Sequence, residues 1–159
     1  MNNYDEVNAL NEVAEFHRTF RHPVLNEPVI PAESRCRLRV ALITEELEEL
    51  ETAIRNKDMV QIADALCDIQ YVLSGAVLEF DLAGYFHHLF EEVHRSNMSK
   101  ACTTKEEAEA TINFYMENQH TECYFEKVNE SFLVYRKADN KTLKSINYSK
   151  ADLGKFLKM

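Results

Sequence analysis

The chain has 159 residues, 45% of them apolar, with only three Gly and three Pro. That composition provides for a helical core and excludes wholesale disorder or a turn-rich β architecture. Its formal charge of −9 argues against general affinity for nucleic acid or an anionic membrane, although divalent cations would still let an acidic surface take a polyphosphate.

Val7, Leu10, Val13/Ala14 and Phe20 recur at helical spacing and predict a first helix over about residues 4–20. Pro23, Pro28 and Pro31 then require an extended linker. Helices are predicted over about 34–56, 58–80 and 82–97. The short Asn56-Lys57-Asp58 and Phe80-Asp81 connections make these three antiparallel neighbours in a bundle. The run 60–80 is apolar enough to raise a membrane span, but it contains Asp64 and Asp68. Carboxylates are costly in a bilayer, so the expectation is a helix buried on several sides in a soluble protein.

After Lys100, Thr103-Thr104-Lys105-Glu106-Glu107 carries a Thr-x-x-Glu capping box for a helix reaching about residue 117. Three short segments rich in β-branched and aromatic residues, 124–128, 131–137 and 142–148, predict a three-stranded meander. The expected fold is mainly α: an antiparallel helical bundle over 1–100, then an extension over 101–159 of one small helix and a β-meander. A substrate lid and an interface element fit residues 101–142 equally well. Cys36, Cys67, Cys102 and Cys123 form no CxxC pair and have no His at zinc-ligand spacing. Free thiols and a start without a basic, apolar leader point to the cytoplasm.

Carboxylates on the second and third helices carry the functional signal. With Glu45 at zero, Glu49 falls at about +40° and Glu46 at about +100°, so the three share a face. Glu48 and Glu51 belong to an ordinary solvated surface. Ile43, Leu47, Leu50 and Ile54 form the apparent core stripe, while Leu38 and Leu42 line up with Glu45 and Glu49. On the third helix Asp64 and Asp68, four residues apart, point the same way. Ionised carboxylates inside a bundle need compensating cations. Nearby Arg35, Arg37 or Arg39 would serve in a purely structural helical oligomer. The alternative is Mg²⁺, which prefers oxygen ligands and is commonly completed by substrate phosphates.

Glu45-Glu46-x-x-Glu49 followed by Asp64-Ala65-Leu66-Cys67-Asp68 resembles the paired acidic motifs of MazG-like and phosphoribosyl-ATP pyrophosphohydrolase-like proteins. The string from Ile62 to Gly75 and the run Glu92-Val93-His94-Arg95-Ser96-Asn97-Met98-Ser99-Lys100 share that likeness, with a fainter echo over 143–148. The second motif of that group is usually Glu-x-x-Asp; here Ala65 holds the glutamate's place, and Asp64 stands one residue earlier.

The resemblance implies an all-α enzyme that hydrolyses a nucleoside triphosphate, or phosphoribosyl-ATP, to the monophosphate and pyrophosphate, working as a homodimer or homotetramer. It implies Glu46, Glu49, Asp64 and Asp68 as ligands of Mg²⁺ or Mn²⁺, with Glu45, Glu46 and Glu49 in the catalytic group. Asn97, Lys100, Lys144 and Tyr148 are the expected substrate contacts. A regulatory domain that kept the fold and binds nucleotide or metal without turnover is the competing reading, carried by Ala65. Tyr71 is either core or base-stacking. His87, His88 and His94 make no convincing metal pair, the role of His17 and His22 is open, and Phe16, Phe20, Phe86 and Phe90 are core or subunit-interface residues.

Overall fold

A computed structural model describes residues 4–25 and 27–157. Its elements are α1 (Ala9–Thr19), α2 (Glu33–Asn56), α3 (Met59–Glu79), α4 (Ala83–Met98) and α5 (Lys105–Gln119), then β1 (Cys123–Val128) and β2 (Ser131–Arg136). All five expected helices form, and the proline-bearing stretch between α1 and α2 is free of helix where it is described. Two compact units are distinguished, one ending at Phe86 and one beginning at His87. That division falls inside α4, whereas the change in composition falls after Lys100.

In the first unit α2 and α3 pack along each other, joined through Lys57 and Asp58. Lys57 closes α2 in the left-handed conformation (φ 56°). The Asp58 carboxylate caps α3 by accepting from the Val60 and Gln61 N–H groups at 3.0 and 3.1 Å. Helix α1 lies against the C-terminal part of α3, where Val13, Ala14 and Leu78 are buried together.

Beside this small apolar cluster lies a charge network. Glu79, only 1% exposed, accepts from both Arg35 and Arg39. Arg39 Nη2 meets His17 Nε2 at 3.2 Å, and His17 Nδ1 lies 2.8 Å from the Pro23 carbonyl. Arginine can only donate, so Nε2 accepts and the proton sits on Nδ1. This chain of bonds ties the linker after α1 to α2 and α3. Gly75 makes room for it: a Cβ there would fall 2.5 Å from Arg39 Nη1 and 3.1 Å from His17 Nε2.

The expected burial of α3 on several sides is corrected within this chain. Its buried positions are Ala65 and the residues from Ser74 to Glu79, except Ala76, which is half-buried. Val60 is 75% exposed and Leu66 52%, because α1 and α2 cover only one flank. The α2 stripe is likewise half open, with Leu47 and Ile54 exposed.

In the second unit α5 packs on the antiparallel β1–β2 hairpin, whose register pairs Cys123 with Arg136 and Val128 with Ser131. Asn129 turns the hairpin in the left-handed region (φ 54°), which asparagine tolerates. Cys102, Ala108, Tyr115, Cys123, Val134 and Leu143 form the core. Thr104 caps α5 by accepting from Glu107 N–H, while the Glu107 carboxylate takes the Thr103 N–H and hydroxyl.

The expected third strand is reduced to a single bridge between Tyr135 and Thr142. Leu143 N–H donates to the Val134 carbonyl beside that bridge, and the donors that follow go elsewhere: Lys144 N–H to the Tyr115 hydroxyl, Ser145 N–H to the Lys100 carbonyl and Ile146 N–H to Thr111 Oγ1. The segment is held by side chains of α5 and by the chain after α4, so it has no ladder to extend.

Candidate active site

Five carboxylates lie on the α2–α3 face, with no three of them bringing their oxygens within 4.8 Å of one another among the described residues. Glu46 is half-buried, while Glu45, Glu49, Asp64 and Asp68 are exposed. Partial burial pushes the Glu46 carboxyl above the ordinary range, and the charges of Asp68, Glu49, Glu45 and Asp64 push it further, in that order. All four are therefore near enough to be felt, and Glu46 sits at the focus of their field. Helical spacing explains the grouping: Glu45, Glu46 and Glu49 occupy adjoining rows of α2, and Asp64 and Asp68 occupy one row of α3.

None of the five is ion-paired to a basic side chain among the described residues. The structural alternative, in which Arg35, Arg37 or Arg39 neutralises them, is thereby corrected: Arg35 and Arg39 are committed to Glu79, and Arg37 to Glu33. An uncompensated group of carboxylates offering only oxygen fits a hard divalent cation such as Mg²⁺ or Mn²⁺.

Glu45 and Glu49 also line an open groove of about 510 Å³, bounded by Thr52, Asn56, Asp58 and Gln61. Glu48 borders the groove and is exposed, as expected for a solvated face. Ala65 is 3% exposed and packs in the core, whereas Asp64 lies among the charges acting on Glu46.

The residues expected to contact substrate come together in the second unit. Lys100 Nζ donates to Asn97 Oδ1 at 2.7 Å, and Lys144 Nζ lies 4.4 Å from the centre of the Tyr148 ring. Tyr148 and Ser96 share a hydrogen bond at 2.9 Å. That bond lowers the Tyr148 hydroxyl pKa, with smaller contributions from Lys144, Lys100 and Lys150. Glu92, 5% exposed, accepts from Arg95, from Lys155 at 2.9 Å and from the Asp152 N–H at 2.9 Å, and its pKa falls well below the usual carboxylate range. Arg95 reaches Ser149 and the Lys150 carbonyl as well, so the Glu92–Lys100 motif fastens the C-terminal segment.

A model of the phosphoribosyl-ATP pyrophosphohydrolase family matches residues 13–97, more than half of the chain. The chain belongs to the phosphoribosyl-ATP pyrophosphohydrolase family. The match spans every carboxylate of the α2–α3 face and ends at Asn97. The chain is also similar to an uncharacterized protein of Acanthamoeba polyphaga mimivirus, 24% identical with 90% of this chain and 93% of that protein covered. Membership supports a nucleotide pyrophosphohydrolase fold and chemistry in general.

Sequence reasoning missed two groupings. Glu79 anchors the Arg35–Arg39–His17 network, and its signal was a lone glutamate closing an otherwise apolar run. On α4, His87, His88 and Glu91 bring their donor atoms within 4.8 Å of one another, all exposed, where the histidines had been expected to form no metal pair. Glu91 lies between the two histidines in azimuth, one turn on. No helix of the described residues is long and apolar enough to cross a membrane.

Proposed function

We propose that the chain hydrolyses a nucleoside triphosphate, or a related nucleotide such as phosphoribosyl-ATP, to the monophosphate and pyrophosphate, as nucleotide-pool housekeeping in the cytoplasm. One observation carries the reading: Glu46 lies in the field of four further carboxylates, none of them neutralised by a basic side chain among the described residues.

Glu46, Glu49, Asp64 and Asp68 would hold Mg²⁺, with Mn²⁺ as a substitute. When bound, such an ion neutralises phosphate oxygens and acts as a Lewis acid. Glu45, exposed at the edge of the groove, would take the proton of the attacking water. No covalent enzyme intermediate is required. Lys100 and Lys144 supply point charges for phosphate, Asn97 an amide donor and Tyr148 a hydroxyl. A homodimer or homotetramer would cover the apolar side chains that α2 and α3 leave exposed, including Leu47, Ile54, Val60 and Leu66.

The competing reading, a domain that binds nucleotide without turnover, rests on Ala65. Asp64 supports turnover instead, because its charge acts on Glu46 from the position next to Ala65. Glu49→Gln tests the assignment: pyrophosphate release should fall about a hundredfold or more while helical content and unfolding midpoint stay near wild type. Wild-type turnover in that variant would remove Glu49 from the site.

A further inference from the structure

The first unit holds a second concave feature that the carboxylate chemistry leaves unused. A half-enclosed cavity of about 220 Å³ lies where α1, α2 and α3 meet, with Phe16, His22, Tyr71, Leu42, Arg35 and Arg39 among its walls. Its position follows the helical rows of the acidic face. Leu42 lies one turn before Glu46 on α2, and Tyr71 lies three residues beyond Asp68 on α3, so about 6 Å of helix separates Leu42 from the focus of the carboxylates.

The walls have the character of a ring-binding site. Phe16 stacks on His22 with centroids 5.8 Å apart and meets Tyr71 edge-on at 5.6 Å. At 220 Å³ the space suits one planar ring system and not an entire nucleotide.

The polar lining is made of the guanidinium groups of Arg35 and Arg39, with His17, His22 and Tyr71, whose polar atoms can donate or accept. Arg35 and Arg39 carry two positive charges against the single negative charge of Glu79. His17 adds none near neutrality, because burial lowers its pKa from 6.5. One positive charge is therefore uncompensated on this wall. The Nε of Arg39, a residue 7% exposed, is the only buried side-chain nitrogen or oxygen without a hydrogen-bond partner among the described residues. Arg35 uses Nε and Nη2 on Glu79, which leaves Nη1 outside that pair. Guanidinium groups donate and never accept, so the part of the wall formed by Arg35 and Arg39 is complementary to an acceptor and offers an amino group no partner.

Resting on the pyrophosphohydrolase reading above, we infer that this cavity receives the base of the nucleotide and selects rings that present a carbonyl oxygen over rings that present an amino group at the same position. Uracil is favoured over cytosine, and hypoxanthine over adenine. The carboxylate face then works on the phosphates while Arg35 and Arg39 read the far edge of the ring.

Two matched pairs test this, dUTP against dCTP and dITP against dATP. Turnover would be measured with Mg²⁺, and equilibrium binding of the corresponding monophosphates in chelator by isothermal titration calorimetry. The oxo member of each pair should be favoured about tenfold or more in both assays. Arg35→Gln should bring that ratio towards one, and Phe16→Ala should weaken binding of all four rings. Glu49→Gln should remove turnover and keep the binding preference.

Equal or reversed binding within both pairs would overturn the inference, as would full discrimination in Arg35→Gln or unchanged binding in Phe16→Ala. The two readings fail separately. Discriminating binding without turnover removes the hydrolase and keeps the cavity; turnover with no discrimination does the reverse.

Discussion

The unit that ends at Phe86 and the unit that begins at His87 bury their residues by opposite means. In the second, Cys102, Ala108, Tyr115, Val134 and Leu143 close an apolar core. The polar groups around it are matched within the unit, Glu107 to Thr103 and Ser145, and Glu92 to Arg95 and Lys155. In the first, the apolar cluster is small and the interior is filled by the ion network of Glu79, Arg35, Arg39 and His17. Its long helices expose apolar side chains and a group of carboxylates with no basic partner among the described residues. The second unit pairs its buried polar groups within itself, although it too exposes apolar side chains such as Phe90 and Met98, whereas the first carries a group of carboxylates with no basic partner among the described residues.

The comparison breaks first at Arg39. Arg39→Ala strips Glu79 of one of two partners and leaves His17 Nε2 without a donor, and it should cost about 3–5 kcal/mol in urea unfolding. A loss below about 1 kcal/mol would mean that the network does not support the first unit. Val134→Ala, at a fully buried position of the second unit, should cost about 2 kcal/mol by the same measurement. Thr104→Ala removes the α5 cap and should cost about 1 kcal/mol.

The smallest effect is one of pH. The folded-state pKa of His17 is lowered, chiefly by burial, so the unfolded chain takes the proton first. The stability this confers is complete above about 6.5 and is lost as pH falls below that value. Glu79 behaves differently: burial alone would raise its pKa, but Arg35 and Arg39 hold it below 4.5, so its contribution persists to lower pH. Unfolding midpoints between pH 7 and 5 should therefore decline in the wild type and flatten in His17→Gln. No decline in the wild type across that range, or an equal decline in His17→Gln, would contradict this assignment.

Much of this was legible before any coordinates. Helical spacing, short connections and the Thr-x-x-Glu capping box placed all five helices, with boundaries within a few residues for α2, α3, α4 and α5, because few Gly and Pro interrupt long runs of good helix formers. Row spacing grouped Glu45, Glu46 and Glu49 on α2 and Asp64 with Asp68 on α3, and the short Asn56-Lys57-Asp58 connection set the two helices side by side.

What failed did so for non-local reasons. Residues 142–148 have strand character, yet Tyr115 and Thr111 on α5 take their N–H groups, and no local pattern records that competition. The Glu79 network joins residues up to 62 positions apart, so pairwise spacing could not reveal it. Apolar Leu47, Ile54 and Val60 suggested burial that this chain alone does not provide; periodicity marks a face as apolar without naming what covers it.

The most direct test is pyrophosphate release from a panel of nucleoside triphosphates, including dUTP, dITP and phosphoribosyl-ATP, with and without Mg²⁺, in wild type and Glu49→Gln. The account predicts metal-dependent release in the wild type and near-complete loss in the variant. Silence from a folded wild-type protein across the panel, or release that ignores both Mg²⁺ and Glu49, would contradict it.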